Sequence, residues 1–291
     1  MTLTPQQQRL ARLLKGQKVR ATRAAESLAP RVSLETAFFL EIEREIVRPY
    51  INKVESVLLP MIDKYWDTAT GITNVGDGTF QIADDLGTMA IMNALDEIAT
   101  QGKQLQILAN KIAAKHVKRV SDVERAQFKA LFNSAVGIKI DMVTGDRAVR
   151  AAMVQAQQQS AELIVTLPAS MHMEIRAILT KGFRERTDAF SIRQMVLAKY
   201  SPDDPQRFYK ARRIARDQVS KLNANLNEIR QVDAGVTSYI WRTAQDERVR
   251  DSHAEKDGEI FEWDAPPADT GHPGDDIQCR CYAEPYFGNL V

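Results

Sequence analysis

Both cysteines of the 291-residue chain and two of its four histidines lie in one short stretch near the carboxyl end. They are Cys279 and Cys281, with His253 and His272 ahead of them. Zinc in proteins is usually held by four ligands, often thiolates and imidazoles drawn from two local clusters. Because the cysteines are two residues apart, their thiols would point to the same face of an extended strand. The sequence therefore predicts a structural zinc site formed by these four side chains.

Other states of these side chains stay open at this point. The cysteines could be reduced, partly buried thiols beside hydrogen-bonded histidines, or they could form a disulfide, which would close a very small and strained loop. His272 belongs to a His-Pro-Gly turn sequence, and Asp275 or Asp276 could replace it as a ligand. The ligand spacing also differs from that of a standard zinc finger.

Charged residues lie just ahead of the first histidine of this stretch. They are Asp246, Arg248, Arg250 and Asp251. Carboxylates beside arginines commonly form ion pairs that fix a turn. A metal-bound histidine also needs an acceptor for its second ring nitrogen, a role for which Asp246 or Asp251 is a candidate. We therefore predict that this group supports the metal site structurally.

A catalytic interpretation of the same stretch is the alternative. A metal-dependent hydrolase would keep one zinc position open and use Asp246 or Glu255 as its base. The sequence contains no glycine-rich phosphate loop, no nucleophile elbow and no His-Glu-x-x-His motif. We therefore expect a protein without enzymatic activity.

Positive charge is concentrated at the amino end of the chain, although the formal net charge of the whole is only +1. Six basic residues there are candidates for phosphate contacts: Arg9, Arg12, Lys15, Lys18, Arg20 and Arg23. A solvated, charged helix is the alternative. Binding that weakens steeply with salt would favour contacts with DNA phosphates.

The composition is that of an ordinary globular protein, with 44% hydrophobic and 26% charged residues. The sequence has neither the apolar core of a secretory signal nor an uninterrupted apolar stretch long enough to span a bilayer. We expect a protein that is made in the cytoplasm and has no membrane partner.

Most of the chain has the periodicity of amphipathic helices, with apolar residues three and four positions apart. The predicted helices cover residues 34–66, 84–120, 122–136, 141–165, 171–187, 191–199 and 205–229. Pro49 should kink the first helix, and Gly102 should interrupt the second. The glycine-rich segment 68–79 is predicted to be a loop.

Capping signals suggest where several of these helices begin and end. Ser121 with Glu124, and Ser191 with Gln194, match the capping box found at helix starts. Pro168 should end one helix because proline cannot donate its backbone hydrogen bond.

Past Gly235 the pattern changes to short β-prone segments, at 236–242, 259–263 and 280–287. We therefore predict a mainly α protein with a small C-terminal α+β module stabilised by zinc. The predicted parts are a basic N-terminal arm (1–32), a helical region (33–200) and the C-terminal module (201–291).

The C-terminal part closely resembles the phage Mu F-like minor head proteins, also called the phage head morphogenesis family. The resemblance covers about residues 205–286, and residues 118–199 are similar in a looser, helical way. It rests on a series of short motifs in this order: Ile214-Ala215-Arg216-Asp217-Gln218, Trp241-Arg242-Thr243, Asp246-Glu247-Arg248-Val249-Arg250, His253, Asp257-Gly258, His272-Pro273-Gly274 and Cys279-Arg280-Cys281-Tyr282-Ala283-Glu284-Pro285.

This resemblance implies a minor structural component of a tailed-phage head, present in few copies and needed for head assembly. It further implies a place at the portal or the inner capsid surface, with the portal protein and the major capsid protein as partners. Packaged DNA would be a further partner of the basic arm. The expected location is the head of the virion.

Overall fold

The computed structural model of the chain describes residues 8, 12, 28–70, 73–74, 80–81, 85–99, 102–136, 146–200 and 208–288. The α-helices of these residues are α1 (Val32–Ile42), α2 (Arg48–Lys53), α3 (Leu59–Thr70), α4 (Asp85–Ala99), α5 (Gly102–Val136), α6 (Asp146–Glu185), α7 (Ala189–Lys199), α8 (Tyr209–Asp233) and α9 (Asp251–Ala254). The strands are β1 (Thr73–Asn74), β2 (Phe80–Gln81), β3 (Ser238–Arg242), β4 (Ile260–Glu262) and β5 (Tyr282–Tyr286). The predicted fold class, mainly helical with a small C-terminal sheet, is confirmed.

Two antiparallel sheets are present in the described residues. Strands β1 and β2 form a two-stranded ladder. Strand β1 lies within the segment 68–79 that the sequence predicted to be a loop, and β2 follows directly after it. The C-terminal sheet has the order β4-β3-β5, with Ile240 opposite Ile260 and Trp241 opposite Ala283. Its strands lie within the three segments predicted from the sequence.

The chain divides into two compact units. Unit 1 comprises Met1–Phe38, Ala113–Ser160 and Arg213–Val291, and unit 2 comprises Phe39–Ile112 and Ala161–Arg212. The predicted division at residues 32 and 200 follows the order of the chain, and it stays a prediction. Within the described residues, no helix combines the length and the apolar character needed to cross a bilayer.

The first long helical segment continues through Pro49. Two five-residue π-helical turns, Glu43–Val47 and Val54–Leu58, lie on either side of α2. Such turns occur where an extra residue is accommodated in a helix, and they are one of the causes of helix kinks, as proline is. Pro49 itself occupies the first turn of α2, where a missing backbone N–H costs least.

Three predicted helix boundaries are wrong. Pro168 lies inside α6, because Leu167 and Met171 are both buried beside it and their packing outweighs the hydrogen bond that proline removes. Ser121 and Glu124 do not cap a helix, since both are buried in the middle of α5. Helix α7 is capped by Asp188 and not by Ser191.

Unit 2 has an aromatic and aliphatic interior around Trp66 of α3. Trp66 is fully buried, stacks on Phe183 of α6 with ring centroids 4.3 Å apart, and donates its indole N–H to the Thr187 carbonyl at 2.6 Å. Gly182 and the fully buried Ile192 of α7 complete this contact. The apolar periodicity of the sequence therefore corresponds to a packed interior.

Helix α8 positions the C-terminal sheet of unit 1 through buried polar side chains. Asn227 and Gln231 each donate an amide hydrogen bond to the Ala283 carbonyl of β5 at 2.9 Å. One turn earlier, Asn223 donates to the Leu28 carbonyl at 2.9 Å. The helix ends at Asp233, and two residues later Gly235 has a positive φ of 87°. This backbone conformation favours glycine and lets the chain turn directly into β3.

Candidate metal centre

The C-terminal sheet has a small interior of its own. Five buried residues form it: Tyr239, Trp241, Cys279, Cys281 and Ala283. The rings of Phe261 and Trp263 pack against it from β4 and the residue after it. Alternate residues of a strand point to one face, which brings Tyr239 and Trp241 together on the same side of β3. The two thiols therefore lie at the edge of an aromatic cluster.

A single helical turn, α9, supplies the histidine. The backbone N–H of His253 donates to the Arg250 carbonyl at 2.9 Å, which closes the turn. The imidazole is buried with its ring edge-on to Trp241, at a centroid distance of 5.4 Å. This packing fixes the ring plane, so that Nδ1 faces the two sulfurs.

His253, Cys279 and Cys281 form a group that can hold a metal ion, with one ligand atom of each lying within 4.8 Å of the others. The Nδ1 atom of His253 lies 3.4 Å from the Cys281 Sγ and 3.5 Å from the Cys279 Sγ. A tetrahedral ion with ordinary Zn–N and Zn–S bond lengths would separate such atoms by about 3.5 Å. The spacing and the chemistry of these three ligands fit zinc.

The second nitrogen of His253 is bound by Asp276. Its Nε2 lies 3.0 Å from the Asp276 Oδ2, so a neutral imidazole that donates from Nε2 keeps the Nδ1 lone pair for a metal. The sequence had suggested Asp246 or Asp251 as this acceptor, and that suggestion is wrong. Asp246 instead pairs with Arg280 at 2.6 Å, and Asp251 is exposed in the first turn of α9.

The arginines ahead of His253 have separate roles. Arg250 donates to the Ile277 carbonyl at 2.7 Å and lies 3.4 Å from the Asp276 carboxylate, so it holds the residue that orients the histidine. Arg248 donates its backbone N–H to the Asp246 carboxylate at 3.2 Å, and its side chain is exposed. Arg250 therefore contacts the carboxylate that binds the histidine, and its supporting role at a metal site stays a prediction.

Both cysteines are free and buried, so the alternative of a disulfide is not realised. A hydrogen bond from Cys281 lowers the pKa of the Cys279 thiol to about 6, while the same contact raises the pKa of Cys281. The two thiols thus differ in acidity, and Cys279 is the more acidic of them. Cys279 is therefore the thiol of the pair that more readily loses its proton, and a thiolate is the form that binds metals.

His272 lies apart from the three-ligand group. Its Nδ1 is 3.0 Å from the Tyr239 hydroxyl, and its ring packs on Trp263 with centroids 4.9 Å apart. Its backbone N–H donates to the Asp275 carboxylate at 2.7 Å, as expected of a turn. The predicted fourth ligand is therefore engaged elsewhere, and a fourth position on the ion would be left to another group.

The three candidate ligands also line a cavity of about 450 Å³. A three-ligand centre that borders a cavity has room for water or another small ligand in its fourth position. An open fourth position is typical of catalytic zinc, whereas structural zinc is usually held by four protein ligands.

Three supporting features could not be found from residue type alone. The Asp276 contact joins residues 23 positions apart in the chain, and the amide contacts of α8 connect residues that are more than fifty positions apart. A further one is a buried ion pair between Arg230 of α8 and Glu124 of α5. The signal for α8 was a run of Asn and Gln at helical spacing, which is unusual on a face that also carries Leu222 and Leu226.

The predicted phosphate contacts of the N-terminal arm fall mostly outside the described residues. Arg12 is exposed, and its Nε donates to the Gln8 carbonyl at 3.2 Å. Arg9, Lys15, Lys18, Arg20 and Arg23 lie outside the described residues.

The comparisons with known proteins identify the module that carries this centre. Residues 169–284 match the model of the family described as Phage Mu protein F like protein. The matched segment includes His253, Cys279 and Cys281, and the match confirms the resemblance found in the sequence.

One curated relative is an uncharacterized protein of Haemophilus influenzae (strain ATCC 51907 / DSM 11121 / KW20 / Rd). It is 58% identical over 76 residues, which make up 26% of this chain and 17% of the relative. The chain thus spans about a sixth of the length of that relative. No solved structure matches the chain.

Proposed function

We propose that the chain is a minor structural protein of a tailed-bacteriophage head, acting in head morphogenesis at the portal or the inner capsid surface. In this role it contacts the portal protein and the major capsid protein, and it catalyses no reaction. The observation that carries the proposal is the family match over residues 169–284.

The architecture supports a building part of fixed shape. Strands β3, β4 and β5 are joined by turns that are tied to the sheet. One example is Asp257, which accepts hydrogen bonds from the Thr243 backbone and hydroxyl at 2.8 and 3.1 Å. A rigid module of this kind suits a docking surface that must present the same face in each particle.

Zinc is the ion that we assign to the centre. Its role is structural, because three strands of three to five residues bury too little apolar area to be stable alone, whereas a bound ion contributes directly to the folding free energy. His253, Cys279 and Cys281 hold the ion, and Asp276 orients the histidine. The fourth ligand is a water molecule or a group that enters from the cavity.

Metal analysis tests this assignment. The full chain, purified without chelator and then reconstituted with zinc, is expected to contain one zinc ion per chain by atomic emission. Cys281→Ala should abolish the bound zinc, and His272→Gln should retain it. A stoichiometry near zero in the reconstituted wild-type chain would remove zinc from the proposal.

Imaging of the particle tests the role in the head. In the phage or prophage that encodes the chain, deletion of its gene should reduce the yield of filled heads. A reconstruction of wild-type particles without imposed symmetry should show added density beside the portal or on the inner capsid wall. Deletion particles with the same protein composition and the same density would contradict the proposal.

The cavity beside the ligands favours a metal-dependent hydrolase as the second candidate. Its weak point is the base, because the Arg280 hydrogen bond lowers the pKa of Asp246, which makes that carboxylate a poor proton acceptor at neutral pH. The other candidate base, Glu255, is exposed. Hydrolysis of a phosphodiester by the zinc-loaded chain, abolished by Cys281→Ala and by Asp246→Asn alike, would establish this second function.

A further inference from the structure

The cavity beside the candidate metal centre is lined by an unusual number of arginines. Five of its lining residues are arginines from three parts of unit 1: Arg213, Arg216, Arg248, Arg250 and Arg280. The first two come from α8, the next two from the turn before α9, and the last lies between the two cysteines. Convergence of guanidinium groups from separate segments is typical of sites for anions.

Three of the five arginines are balanced by carboxylates. Arg280 pairs with Asp246 at 2.6 Å, Arg250 with Asp276 at 3.4 Å, and Arg216 with Glu35 at 3.6 Å. These ion pairs hold the guanidinium groups in place. Two of the arginines make a further hydrogen bond within the module, Arg250 to the Ile277 carbonyl and Arg216 to the Gln278 side chain. The ion pairs leave no net charge of their own.

Arg213 and Arg248 carry the excess positive charge of the cavity. Neither guanidinium makes a hydrogen bond or a close ion pair with a residue that the structure describes, although the charge of Arg248 contributes to lowering the pKa of Asp246. A zinc ion bound to two thiolates and a neutral imidazole would add no net charge. With the ion bound, the cavity is therefore positive, and its charge comes from these two arginines.

The chemistry of the cavity favours a phosphate group over a carboxylate. A guanidinium presents its donors as a planar fork, and a single carboxylate is satisfied by one fork. A phosphate group offers three or more acceptor oxygens in a tetrahedral arrangement, so that it can be bound by several arginines at once.

An apolar wall completes the cavity. Ala244, Val249 and Ile277 line it together with the arginines, and Ile277 is 52% exposed. A volume of about 450 Å³ exceeds the needs of a bare phosphate ion. It has room for a sugar attached to the phosphate, whose carbon atoms would lie against the apolar wall.

We propose that this cavity is a binding site for phosphate esters of nucleotides, with Arg213 and Arg248 as the residues that bind the phosphate. A free nucleotide and the backbone of DNA share this chemistry. The inference concerns the isolated chain and holds independently of a place in the phage head.

Binding measurements on the full zinc-supplemented chain test the proposal. Thymidine monophosphate and inorganic phosphate are titrated by calorimetry, and a short fluorescent DNA duplex is titrated by anisotropy. The monophosphate is expected to bind more tightly than inorganic phosphate. In Arg213→Gln/Arg248→Gln, the affinity for the monophosphate should fall by about tenfold or more, since two charge-assisted hydrogen-bonding groups are lost.

A matched variant controls for the change in charge. Arg147→Gln/Arg184→Gln removes two arginines that are also exposed but do not line the cavity, and it should bind as the wild type does. All variants are compared by thermal melting. If the double variant is unstable, Arg248→Gln alone, in an exposed turn, should still weaken binding.

The outcomes separate the sources of the phosphate. Competition between the duplex and the monophosphate would show that both bind the same site and would identify DNA as a ligand. The slope of log affinity against log salt concentration for the duplex should then be smaller in magnitude by about two in the Arg213→Gln/Arg248→Gln variant. Binding of the monophosphate alone would identify a free nucleotide. The proposal is overturned if the wild type binds neither compound, if both double variants lose affinity equally, or if only duplex binding occurs and survives in Arg213→Gln/Arg248→Gln.

Discussion

The Trp66 region of unit 2 and the C-terminal sheet of unit 1 are held together by different interactions. Around Trp66, rings and aliphatic side chains fill the interior, with Phe183 stacked on the indole and Ile192 fully buried nearby. In the sheet, a small aromatic cluster is surrounded by thiols, an imidazole and amide hydrogen bonds. Apolar packing depends on volume, whereas the sheet depends on specific donors and acceptors.

This difference predicts that the two regions respond to different perturbations. Loss of a ligand or a buried hydrogen-bond partner should destabilise the sheet and leave the Trp66 region intact. A change of side-chain volume next to Trp66 should destabilise the Trp66 region and leave the sheet intact. Hydrogen–deuterium exchange followed peptide by peptide can measure both regions in one sample.

The largest effect is expected from removal of the proposed zinc ion. Chelation, or Cys281→Ala, should expose β3, β4 and β5 to rapid exchange, because structural zinc contributes on the order of 10 kcal/mol in small domains. Peptides that contain Trp66 should keep their protection. His272→Gln serves as the control, since His272 is bound to Tyr239 and not to the ligand group.

Equal loss of protection in both regions on chelation would show that the two are not independently stabilised. Unchanged protection of the sheet in Cys281→Ala would show that the aromatic cluster and α8 suffice without an ion.

The same contrast explains which features the sequence could predict. Helices α4 and α8 and the three C-terminal strands follow from periodicity and from the glycine at position 235, because such signals act within a few neighbouring residues. The helix end predicted at Pro168 was wrong because burial of Leu167 and Met171 outweighs the local effect of the proline. A local rule fails where tertiary packing contributes more free energy.

The candidate site was predictable only in its ligands. Cys279, Cys281 and His253 are recognisable by residue type and proximity in the chain. The choice of Asp276 over Asp246 depends on which carboxylate the turn brings to the Nε2 atom of His253. His272 has the right chemistry, but the fold commits it to Tyr239.

A large effect is also expected from the buried pair between Arg230 and Glu124. Arg230→Met leaves the Glu124 carboxylate buried without its partner, and burial already raises the pKa of that group to about 7. Breaking such a pair commonly costs about 3–5 kcal/mol. Denaturant titration of unfolding should show this loss.

A surface pair in the same helix provides the control for that experiment. Lys118 and Asp122 of α5 are 2.6 Å apart, but both are largely exposed, so Lys118→Met should cost no more than about 1 kcal/mol. The double variant Arg230→Met/Glu124→Leu should recover most of the stability, because it removes both charges. Similar losses for Arg230→Met and Lys118→Met would contradict the role assigned to the buried pair.

A smaller effect is expected from added volume next to Trp66. A methyl group at Gly182 would clash with the end of the Ile192 side chain and approach the Trp66 ring to 2.9 Å. Gly182→Ala should therefore destabilise unit 2 by about 1–3 kcal/mol, despite the better helix propensity of alanine. Exchange should increase in Trp66 peptides and not in the sheet.

The double variant Gly182→Ala/Ile192→Val tests the cause of that loss. Valine lacks the terminal methyl group of isoleucine, so the double variant should be more stable than Gly182→Ala alone. Ile192→Val by itself is the control for the deleted methyl group. A double variant that is the least stable of the three would exclude the clash as the cause.

The smallest effect is expected at the start of α7, where a single exposed carboxylate caps the helix of unit 2. The Asp188 Oδ1 accepts the Ser191 backbone N–H at 2.8 Å, and its Oδ2 accepts the Ser191 hydroxyl at 2.7 Å. These bonds lower the pKa of Asp188. The carboxylate therefore adds stability that is present above its ordinary pKa and is lost as the pH falls through the lowered value.

Asp188→Asn keeps a capping oxygen without the charge. The melting temperature of Asp188→Asn should fall less than that of the wild type as the pH is lowered. Asp188→Ala should be less stable than the wild type at neutral pH. An identical acid dependence of the wild type and Asp188→Asn would remove this carboxylate from the forces that stabilise unit 2.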